Sequence, residues 1–404
     1  MNAMNAIVLG AGRSGVAAAS LLRGEGWQTT ILEGKVGWPH GEECGLCVVS
    51  PGVPLTHEWQ IEARRSGVPV VSELQLGAEH FARMGGKMLA VTGSKGKSSV
   101  VKLVADAIGG IPCGNYGLPL CEVALRLREG NDRPRWAVVE VSSFQMETTE
   151  LAPDAFEAAA ILNLQEDHLD RHGTKETYHA LKRRLLDFAK VRIAGSGVEC
   201  ADAVHAESMH GADLMAGSYF DNPILRSNGL CAVGLMRAAG LSDDAIRAAF
   251  ARFEPLPHRM QPVGTANGVT WIDDSKATSI AALVAGVEMA SSQCGDGRKI
   301  HLIAGGLPKG DDPAAAVNAL AGSVCKVYLI GKCAQEFADA WRAVVPCEVC
   351  GTLERAVASA RACAKPSECV LLSPGTASFD QFGSYGERGD RFAFYAGTRG
   401  ANAV

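Results

Sequence analysis

Short apolar runs alternate with amphipathic stretches along nearly the whole chain. The runs are continuous rather than alternating with polar residues, which is typical of strands buried on both faces of a parallel sheet. Helical patterns separate them, for example at 100–108, 279–290 and 354–364. The strand candidates are 6–10, 29–32, 47–50, 87–92, 136–142, 158–164, 269–272, 299–304, 326–330 and 369–373. Strands that alternate with helices in this way predict an α/β chain.

Glycine and proline interrupt the pattern at two places. Met84-Gly85-Gly86 precedes a new strand, and Pro255-Leu256-Pro257 separates a helical stretch from another α/β stretch. In a chain of 404 residues, these breaks predict three domains, at 1–85, 86–257 and 258–404. The segment from 191 to 226 shows no readable period.

Charge and hydropathy narrow the class of protein. The formal net charge is -5 and the pI is about 6.1, which argues against a general nucleic-acid binder. No apolar run approaches the ~20 residues that span a bilayer. The first residues lack the basic start and long apolar stretch of a secretory signal. We therefore expect a cytoplasmic protein with neither a nucleic-acid nor a membrane partner.

The chain contains 13 cysteines, most of them single residues inside apolar stretches. Free cysteine packs as a small hydrophobic residue, and this is the expected role of Cys231, Cys325 and Cys369. Two CxxC pairs begin at Cys44 and Cys347. Because they lie about 300 residues apart, they do not have the close spacing of a zinc site.

A phosphate-loop pattern follows the strand at 87–92. Its glycines, Gly93 and Gly96, allow backbone N–H groups to surround phosphate oxygens. Lys97 can reach the β- and γ-phosphates, and Ser98 can hold Mg²⁺. The following helix contributes the partial positive charge of its N-terminus. The standard motif has glycine at the position of Val91.

Polar side chains follow the next two predicted strands. Glu140 stands near the end of one strand, where parallel sheets place ligand-facing groups, and an acid there can hold Mg²⁺. His168 follows another strand and is flanked by Asp167 and Asp170. It is a candidate ligand for a second cation.

A second glycine motif, at residues 10–15, follows the first strand, and Glu33 lies after the second. This pattern is typical of dinucleotide binding, so a nicotinamide-dependent dehydrogenase is an alternative interpretation. The motif requires only a diphosphate at a helix N-terminus, which a sugar nucleotide also supplies. Two nucleotide sites in one chain suit an enzyme that joins ATP to a nucleotide-linked substrate.

Together these motifs resemble the Mur ligase family along nearly the whole chain. Residues 92–99 are similar to that family's phosphate loop, with Lys95 where asparagine is usual. Further segments resemble the family members that attach D-glutamate. These segments are 50–54, 114–119, 140–145, 166–171, 257–259, 273–278, 305–310 and 371–382.

The resemblance implies three domains: a Rossmann-like N-terminal domain for the UDP substrate, a central P-loop ATPase-like α/β domain, and a Rossmann-like C-terminal domain for the amino acid. It implies ATP-dependent addition of D-glutamate to UDP-N-acetylmuramoyl-L-alanine in peptidoglycan precursor synthesis. The substrate carboxylate attacks the γ-phosphate of ATP, and the glutamate amine then displaces phosphate from the acyl phosphate. Two Mg²⁺ ions and a monomeric enzyme are expected.

The resemblance also assigns the ATP and metal sites. The catalytic candidates are Lys97, His168, Lys182, Arg259 and Lys276. The ATP-binding candidates are Gly93, Ser94, Lys95, Gly96, Lys97, Ser98, Ser99, Asn228, Arg259 and Asp274. The metal candidates are Ser98, Glu140, His168 and Lys182. Lys182 matches a lysine that the family carries as an N-carbamoyl derivative, an anion that can bind Mg²⁺.

Two further sites follow from the same resemblance. The candidates for the UDP substrate are Gly12, Arg13, Ser14, Glu33, Gly34, Lys35, Ser50, Pro51, Gly52, Asn115 and Ser142. The candidates for glutamate are Thr278, Lys309, Ser378, Phe379 and Tyr385. A dicarboxylate requires such cationic and hydroxyl or amide donors.

The chain departs from the family pattern in its central domain. This domain is shorter than usual, with the loss between about 191 and 226. The family's adenine-proximal His-Asn pair appears here as Ser227-Asn228, and a later asparagine of the family is Cys231 here. The sequence therefore does not identify the residues that contact adenine. The alternatives are ligation of L-glutamate and a non-catalytic UDP-sugar-binding relative. Folylpolyglutamate synthase is also related, but its substrate does not require the motif at 10–15.

Overall fold

A computed structural model describes residues 4–34, 44–130, 136–165, 168–294, 297 and 299–397. The chain forms two compact units, residues 1–253 and residues 254–404. Three of the residues singled out in the sequence, Lys35, Glu166 and Asp167, lie outside the described ranges. The three-domain division at 85 and 257 stays a prediction.

The first unit begins with a parallel sheet of order β2-β1-β3-β4. Its strands are β1 (Asn5–Leu9), β2 (Gln28–Leu32), β3 (Cys44–Val49) and β4 (Val70–Ser72). Its helices are α1 (Arg13–Gly24), α2 (Glu58–Arg65) and α3 (Glu73–Arg83). Because β2 and β3 flank β1 on opposite sides, the chain changes direction at β1, and parallel sheets commonly bind ligands beyond the carboxyl ends of the strands at such a point.

The second sheet of this unit is also parallel, with the order β10-β9-β8-β5-β7-β6. Its strands are β5 (Lys87–Thr92), β6 (Ile111–Gly114), β7 (Trp136–Glu140), β8 (Phe156–Ile161), β9 (Ala189–Ala194) and β10 (Val204–His205). The helices are α4 (Lys97–Ile108), α5 (Leu120–Arg128), α6 (Ser143–Met146), α7 (Leu169–His172), α8 (Lys175–Arg183), α9 (Arg226–Ala238) and α10 (Asp243–Arg252). Strand β5 lies between β7 and β8, so the groups that follow these three strands meet at one edge.

The second unit contains a third sheet, of order β11-β12-β16-β13-β14-β15. The strands are β11 (Gln261–Ala266), β12 (Val269–Asp273), β13 (Ile300–Gly305), β14 (Val324–Ile330), β15 (Cys347–Gly351) and β16 (Cys369–Leu372). The helices are α11 (Ile280–Cys294), α12 (Val317–Ser323), α13 (Ala334–Trp341), α14 (Leu353–Cys363) and α15 (Tyr385–Tyr395). Strand β11 runs antiparallel to β12, whereas the other neighbouring strands are parallel.

The cores explain why the apolar runs are continuous. Val8 in the first sheet and Val139 and Ile161 in the second are fully buried, and they belong to one apolar cluster that includes residues of both sheets. The second unit has its own cluster around Trp271 and Phe392. Burial of one such side chain contributes about 1.5–3 kcal/mol. The α/β fold class predicted from the sequence is confirmed.

Each of the ten predicted strands is present, with ends shifted by a few residues. The run at 136–142 ends as a strand at Glu140 because Ser142 caps α6, where its hydroxyl accepts the N–H of Gln145. Six strands were not predicted: β4, β6, β9, β10, β11 and β15. They are short, polar or interrupted, as Pro262 and Gly264 interrupt β11, and so lack a continuous apolar run.

Candidate active site

The phosphate loop connects β5 to α4 through two glycines with positive φ. Gly93 has φ 150° and Gly96 has φ 84°, a conformation that side chains rarely adopt. A Cβ atom on Gly96 would lie 2.2 Å from Nδ2 of Asn228. Gly96 is the N-cap of α4 and makes no side-chain cap, so the first N–H groups of the helix face the loop. This arrangement suits an anion.

Two lysines from different helices converge on this loop. Lys97 Nζ donates to the Gly93 carbonyl over 2.8 Å, and Lys182 Nζ donates to the same oxygen over 3.0 Å. Lys182 is 2% exposed and lies 4.7 Å from the centre of the Tyr178 ring. The structure therefore brings together two cationic groups that lie 85 positions apart in the sequence.

Asn163, which follows β8, holds the loop from the side. Its amide group exchanges two hydrogen bonds with the Lys95 backbone, of 2.9 and 3.0 Å, and also donates to Asn228 Oδ1 over 3.3 Å. Ser94 Oγ lies 3.2 Å from Tyr178 Oη. Asn163 and Tyr178 were not predicted as site residues, because contacts across 68 or more positions leave no local motif.

Glu140 and Asn115 form a polar pair at the carboxyl ends of β7 and β6. Asn115 Nδ2 donates to Glu140 Oε1 over 2.7 Å, and Glu140 is 2% exposed. Its other oxygen, Oε2, is buried without a hydrogen-bond partner among the described residues. A buried carboxylate oxygen in this state favours a cation.

The other metal candidates have local constraints of their own. Ser98 and Ser99 are buried at the start of α4. His168 has a positive φ of 52°, and its ring lies 4.9 Å from that of Phe144. The unpaired Glu140 oxygen and the buried Ser98 hydroxyl are oxygen donors of the kind that Mg²⁺ prefers.

A hydrogen-bonded network lies beside this donor set. Arg171 donates to both oxygens of Glu147, over 2.9 and 2.6 Å, and to the carbonyl of Val53 over 3.3 Å. His172 Nε2 lies 2.9 Å from Ser143 Oγ, and burial lowers the pKa of its imidazole. The network therefore connects the loop after β3 to helices of the second sheet. Ser142, a candidate for the UDP substrate, caps α6 within this region.

The glycine loop at residues 10–15 connects β1 to α1. Gly10 has φ 93°, and a Cβ on Gly15 would lie 1.9 Å from the Gly10 carbonyl oxygen, so α1 can approach β1 only with glycine there. Ser50 Oγ donates to that oxygen over 3.3 Å, and Arg13 donates to Gly117 O over 3.3 Å. The other described candidates are half-buried (Ser14, Pro51) or exposed (Gly12, Glu33, Gly34, Gly52).

The residues that were expected to lie near adenine, Ser227 and Asn228, already make contacts within the protein. Ser227 Oγ accepts the N–H of Ser196 over 2.8 Å, and Asn228 is 5% exposed beside the phosphate loop. Cys231 is fully buried in α9, and burial raises its pKa to about 12. It packs as a hydrophobic residue, as the sequence predicts.

In the second unit, two aspartates at the end of β12 form hydrogen bonds with the segment that precedes β11. Asp273 Oδ2 lies 2.7 Å from His258 Nδ1. Asp274 accepts the Ser373 hydroxyl over 2.9 Å and the Met260 N–H over 3.2 Å. Burial raises the pKa of Asp274 to about 7. These bonds fix the segment that carries Arg259.

Arg388 is a buried residue that was not predicted for this site. It donates to Ser275 Oγ and O over 3.0 and 2.9 Å, and to the carbonyls of Thr376 and Ala377 over 3.1 and 3.3 Å. It thus holds together the loops after β12 and β16. Thr376 Oγ1 is buried without a hydrogen-bond partner among the described residues. A ligand group can supply one.

The remaining candidates of this unit lie before β11, on the loops after β12, β13 and β16, or on α15. Lys276 Nζ lies 4.0 Å from the centre of the Tyr385 ring. Lys309 is exposed on the loop after β13, and Phe379 is 69% exposed on the loop after β16. These two loops exchange hydrogen bonds between Leu307 and Ala377. Ser378 is buried, and Thr278 and Arg259 are half-buried.

Comparison with known families agrees with this arrangement. Residues 91–210 match the Mur ligase middle domain, and residues 258–375 match the Mur ligase, glutamate ligase domain. The chain belongs to the Mur ligase family.

Within the family, similar curated relatives include several with the name UDP-N-acetylmuramoylalanine–D-glutamate ligase. The protein from Acidobacterium capsulatum is 33% identical and covers 96% of this chain and 94% of its own length. That from Sphingopyxis alaskensis is 36% identical over 85% of this chain and 82% of its own length. MurF ligase from Thermotoga maritima, solved with ADP, shares the fold, with a TM-score of 0.60 at 15% identity over 87% of this chain and 88% of its own.

Within the described part of the chain, no helix combines the length and the hydropathy required to cross a bilayer.

Proposed function

We propose that this chain is the ATP-dependent ligase that adds D-glutamate to UDP-N-acetylmuramoyl-L-alanine. The observation that carries this proposal is the convergence of Lys97 and Lys182 on one carbonyl of a phosphate loop. The unpaired Oε2 of Glu140 lies at the end of a neighbouring strand. Relatives with this activity in their name match nearly the whole chain. A dehydrogenase would leave the phosphate loop and both lysines without a role.

The glycine loop at 10–15 holds the UDP-linked substrate. Its diphosphate accepts backbone N–H groups at the start of α1, whose cap residue Gly12 makes no side-chain cap. Arg13 and Ser14 stand in the first turn, and Ser50 fixes the loop through Gly10. Glu33 and Gly34 follow β2, and Asn115 and Ser142 face the muramoyl part.

The first chemical step transfers the γ-phosphate of ATP to the alanine carboxylate. One carboxylate oxygen forms a bond to the γ-phosphorus while the bond to the β–γ bridging oxygen breaks, which gives an acyl phosphate and ADP. Lys97 leaves the Gly93 and Ser94 carbonyls and binds the transferring phosphoryl group, since a positioned cation stabilises its charge. Arg259, Asp274 and Lys276 complete the ATP contacts.

Ser98, Glu140, His168 and Lys182 would hold Mg²⁺, which would neutralise phosphate charge. Lys182 fits this set as its N-carbamoyl derivative, because the modification replaces an ammonium with an anion. Lys182 is 2% exposed, so a carbamate on it would be shielded from bulk water. Asn115 holds the Glu140 carboxylate in place through Oε1.

In the second step, the amine of glutamate attacks the acyl carbon and phosphate leaves. Lys309 and Ser378 bind the glutamate carboxylates, with Thr278, Phe379 and Tyr385 around them. Arg388 positions the Ser378 loop through the Thr376 and Ala377 carbonyls. We also propose a monomeric cytoplasmic enzyme without a nucleic-acid partner, in agreement with its net charge of -5.

The test is a phosphate-release assay with UDP-N-acetylmuramoyl-L-alanine, ATP, Mg²⁺ and a panel of amino acids. D-glutamate should be preferred over D-alanine and D-glutamine by at least about tenfold in kcat/KM, because a ligand without the side-chain carboxylate leaves charged donors unpaired. Use of L-glutamate alone would overturn only the stereochemistry. ATP turnover that does not depend on any amino acid would overturn the ligase.

A further inference from the structure

A cluster of metal-binding side chains lies at the amino edge of the third sheet, away from the loops described above. It consists of His301 on β13, Cys325 on β14 and Glu368 immediately before β16. One nitrogen, one sulfur and one carboxylate oxygen of these residues all lie within 4.8 Å of one another. The candidate active-site loops of this unit follow the carboxyl ends of the same strands. The cluster is therefore a separate site at the opposite end of the sheet.

An irregular pairing of β13 with β14 brings the cysteine to this place. Ile300 pairs with Val324, but His301 pairs with Lys326, so Cys325 is the extra residue of a β-bulge. Bulges change the direction in which a side chain points. In a regular strand, Cys325 would point to the sheet face opposite to Lys326.

Regular strand periodicity places the other members on one face. His301 pairs with Val370, and Glu368 precedes Val370 by two positions, so both side chains point to the same side. Tyr328 follows Lys326 by two positions and points there as well. Strand β13, strand β14 and the residue before β16 thus each contribute one ligand atom, and a fourth side chain supports the histidine.

Two of the three ligand atoms are hydrogen-bonded at a separation that a tetrahedral ion would widen only slightly. His301 Nε2 lies 3.0 Å from Glu368 Oε2. Bonds of about 2.0–2.1 Å from zinc to nitrogen and oxygen place two ligand atoms about 3.3 Å apart. The other ring nitrogen, Nδ1, lies 2.9 Å from Tyr328 Oη. Metal-binding histidines commonly use their second nitrogen for such a hydrogen bond, which fixes the ring.

Backbone and side-chain contacts hold Glu368 in place beside His301. The Lys365 N–H donates a hydrogen bond to Glu368 Oε2 over 2.7 Å. The nearest cation on β14, Lys326, forms an ion pair with Glu348 at 2.7 Å. The charge of Lys326 is therefore paired with Glu348 and not with Glu368.

We propose that His301, Cys325 and Glu368 bind a zinc ion, with water or another small ligand as the fourth donor. A mixed nitrogen, sulfur and oxygen set favours Zn²⁺ over Mg²⁺, which prefers oxygen ligands alone. The ion joins the amino ends of β13, β14 and β16 and stabilises the second unit.

Cobalt substitution in the full-length protein tests the proposal. The protein is stripped with a chelator, freed of nucleotide and titrated with Co²⁺ under reducing conditions. A thiolate ligand gives a sulfur-to-cobalt charge-transfer band in the near ultraviolet. The proposed Mg²⁺ ligands include no cysteine, so cobalt at that site does not produce the band. We expect one equivalent of Co²⁺ with this band, displaced by Zn²⁺.

Matched variants assign the band to Cys325. Cys325→Ser should abolish it while far-ultraviolet circular dichroism stays unchanged. Cys350→Ser, in one of the CxxC pairs, and Cys363→Ser, an exposed thiol, should retain it. Tyr328→Phe should keep the band and weaken zinc binding about tenfold or more, as loss of a supporting hydrogen bond does. Absence of the band in the wild type, or its persistence in Cys325→Ser, would overturn the site.

Stability supplies an independent readout. Zinc that binds the folded state raises the melting temperature as its concentration increases. The increase should occur in the wild type and in Cys363→Ser, and it should be absent in Cys325→Ser and Glu368→Gln. An equal increase in all four proteins would mean that zinc binds elsewhere, and this would contradict the proposal.

Discussion

Two glycine loops of the first unit have the same backbone plan and different surroundings. Each follows a parallel strand and begins a 12-residue helix, and neither helix has a side-chain cap or an acidic residue in its first turn. Both helix N-termini are therefore suited to anions. Around the loop at 10–15, Ser50 and Arg13 bond to backbone carbonyls. Around the phosphate loop, Lys97, Lys182 and Glu140 provide concentrated charge.

The difference separates binding from chemistry. Backbone N–H groups are sufficient to hold a diphosphate that does not react. A phosphoryl group in transfer also requires mobile cationic groups and a metal site, because charge moves during the reaction. We infer that the loop at 10–15 sets the affinity for the UDP-linked substrate, whereas the phosphate loop sets the turnover rate.

The largest expected effect is that of Lys97→Ala. Loss of the cation at the transferring phosphate should lower kcat by about 10³-fold or more. Lys102→Ala is the control, since Lys102 lies on the same helix and pairs with the exposed Asp106.

In the other loop, Arg13→Ala should raise KM for the UDP substrate about tenfold with little change in kcat. Steady-state phosphate release measures all three, and a large kcat loss in Arg13→Ala would erase the contrast between the loops.

The phosphate loop shows which parts of the site the sequence can predict. Gly93, Gly96, Lys97 and Ser98 are adjacent and form a recognisable motif. Asn163, Tyr178 and Arg388 reach their partners across 68, 84 and 113 positions, so only the fold brings them there.

Other residues were found only through resemblance, or not at all. Lys182 was identified only through the family resemblance, because an isolated lysine on a helix has no signature of its own. Cys325 was expected to pack as a small hydrophobic residue, and the bulge that turns it toward His301 leaves no mark in the sequence pattern. The ten apolar strands were predictable because burial on both sheet faces requires continuous apolar runs.

Lys182→Ala should follow as the second largest effect. Removal of the proposed carbamate should lower kcat about 10²-fold or more, and short-chain carboxylic acids should restore at least about tenfold by supplying an anion in the vacated space. Lys175→Ala, at the start of the same helix, is the matched control. Failure of any acid to restore activity in a folded variant would argue that Lys182 acts as a simple cation.

Gly15→Ala tests whether the glycine loop at 10–15 depends on the close approach of α1 to β1. A Cβ at this position meets the Gly10 carbonyl at 1.9 Å, so the substitution should lower the free energy of unfolding by about 3 kcal/mol. Gly12→Ala has no atom within 4 Å of its Cβ and should change it by less than about 0.5 kcal/mol. Denaturant unfolding measures both values. Equal stabilities would mean that the loop at 10–15 tolerates a wider separation of α1 from β1.

The smallest expected effect concerns Glu73, which joins helices α3 and α5 of the two sheets that carry the loops. Its Oε1 accepts the Cys121 N–H over 2.8 Å, and burial raises its pKa from 4.5 to about 7. Between these pH values the folded state keeps a proton that the unfolded state releases, so stability falls as pH rises and is constant above the folded pKa.

Glu73→Gln should remove this pH dependence, which in the wild type should lower the free energy of unfolding by about 2 kcal/mol between pH 5 and 7. Unfolding of the wild type and the variant at both pH values measures it. Glu79→Gln, an exposed residue on the same helix, should retain the pH dependence. If the free energy of unfolding of the wild type did not change between pH 5 and 7, the pKa of Glu73 in the folded protein would not be raised into this range.

The most direct test of the account follows an oxygen atom from the substrate to the released phosphate. UDP-N-acetylmuramoyl-L-alanine labelled with ¹⁸O in its carboxylate is converted with ATP and D-glutamate, and the phosphate is examined by mass spectrometry. If the phosphate loop transfers the γ-phosphoryl group to that carboxylate, each phosphate should contain one labelled oxygen. Phosphate without label, formed at the same rate as the amide product, would contradict the acyl-phosphate mechanism.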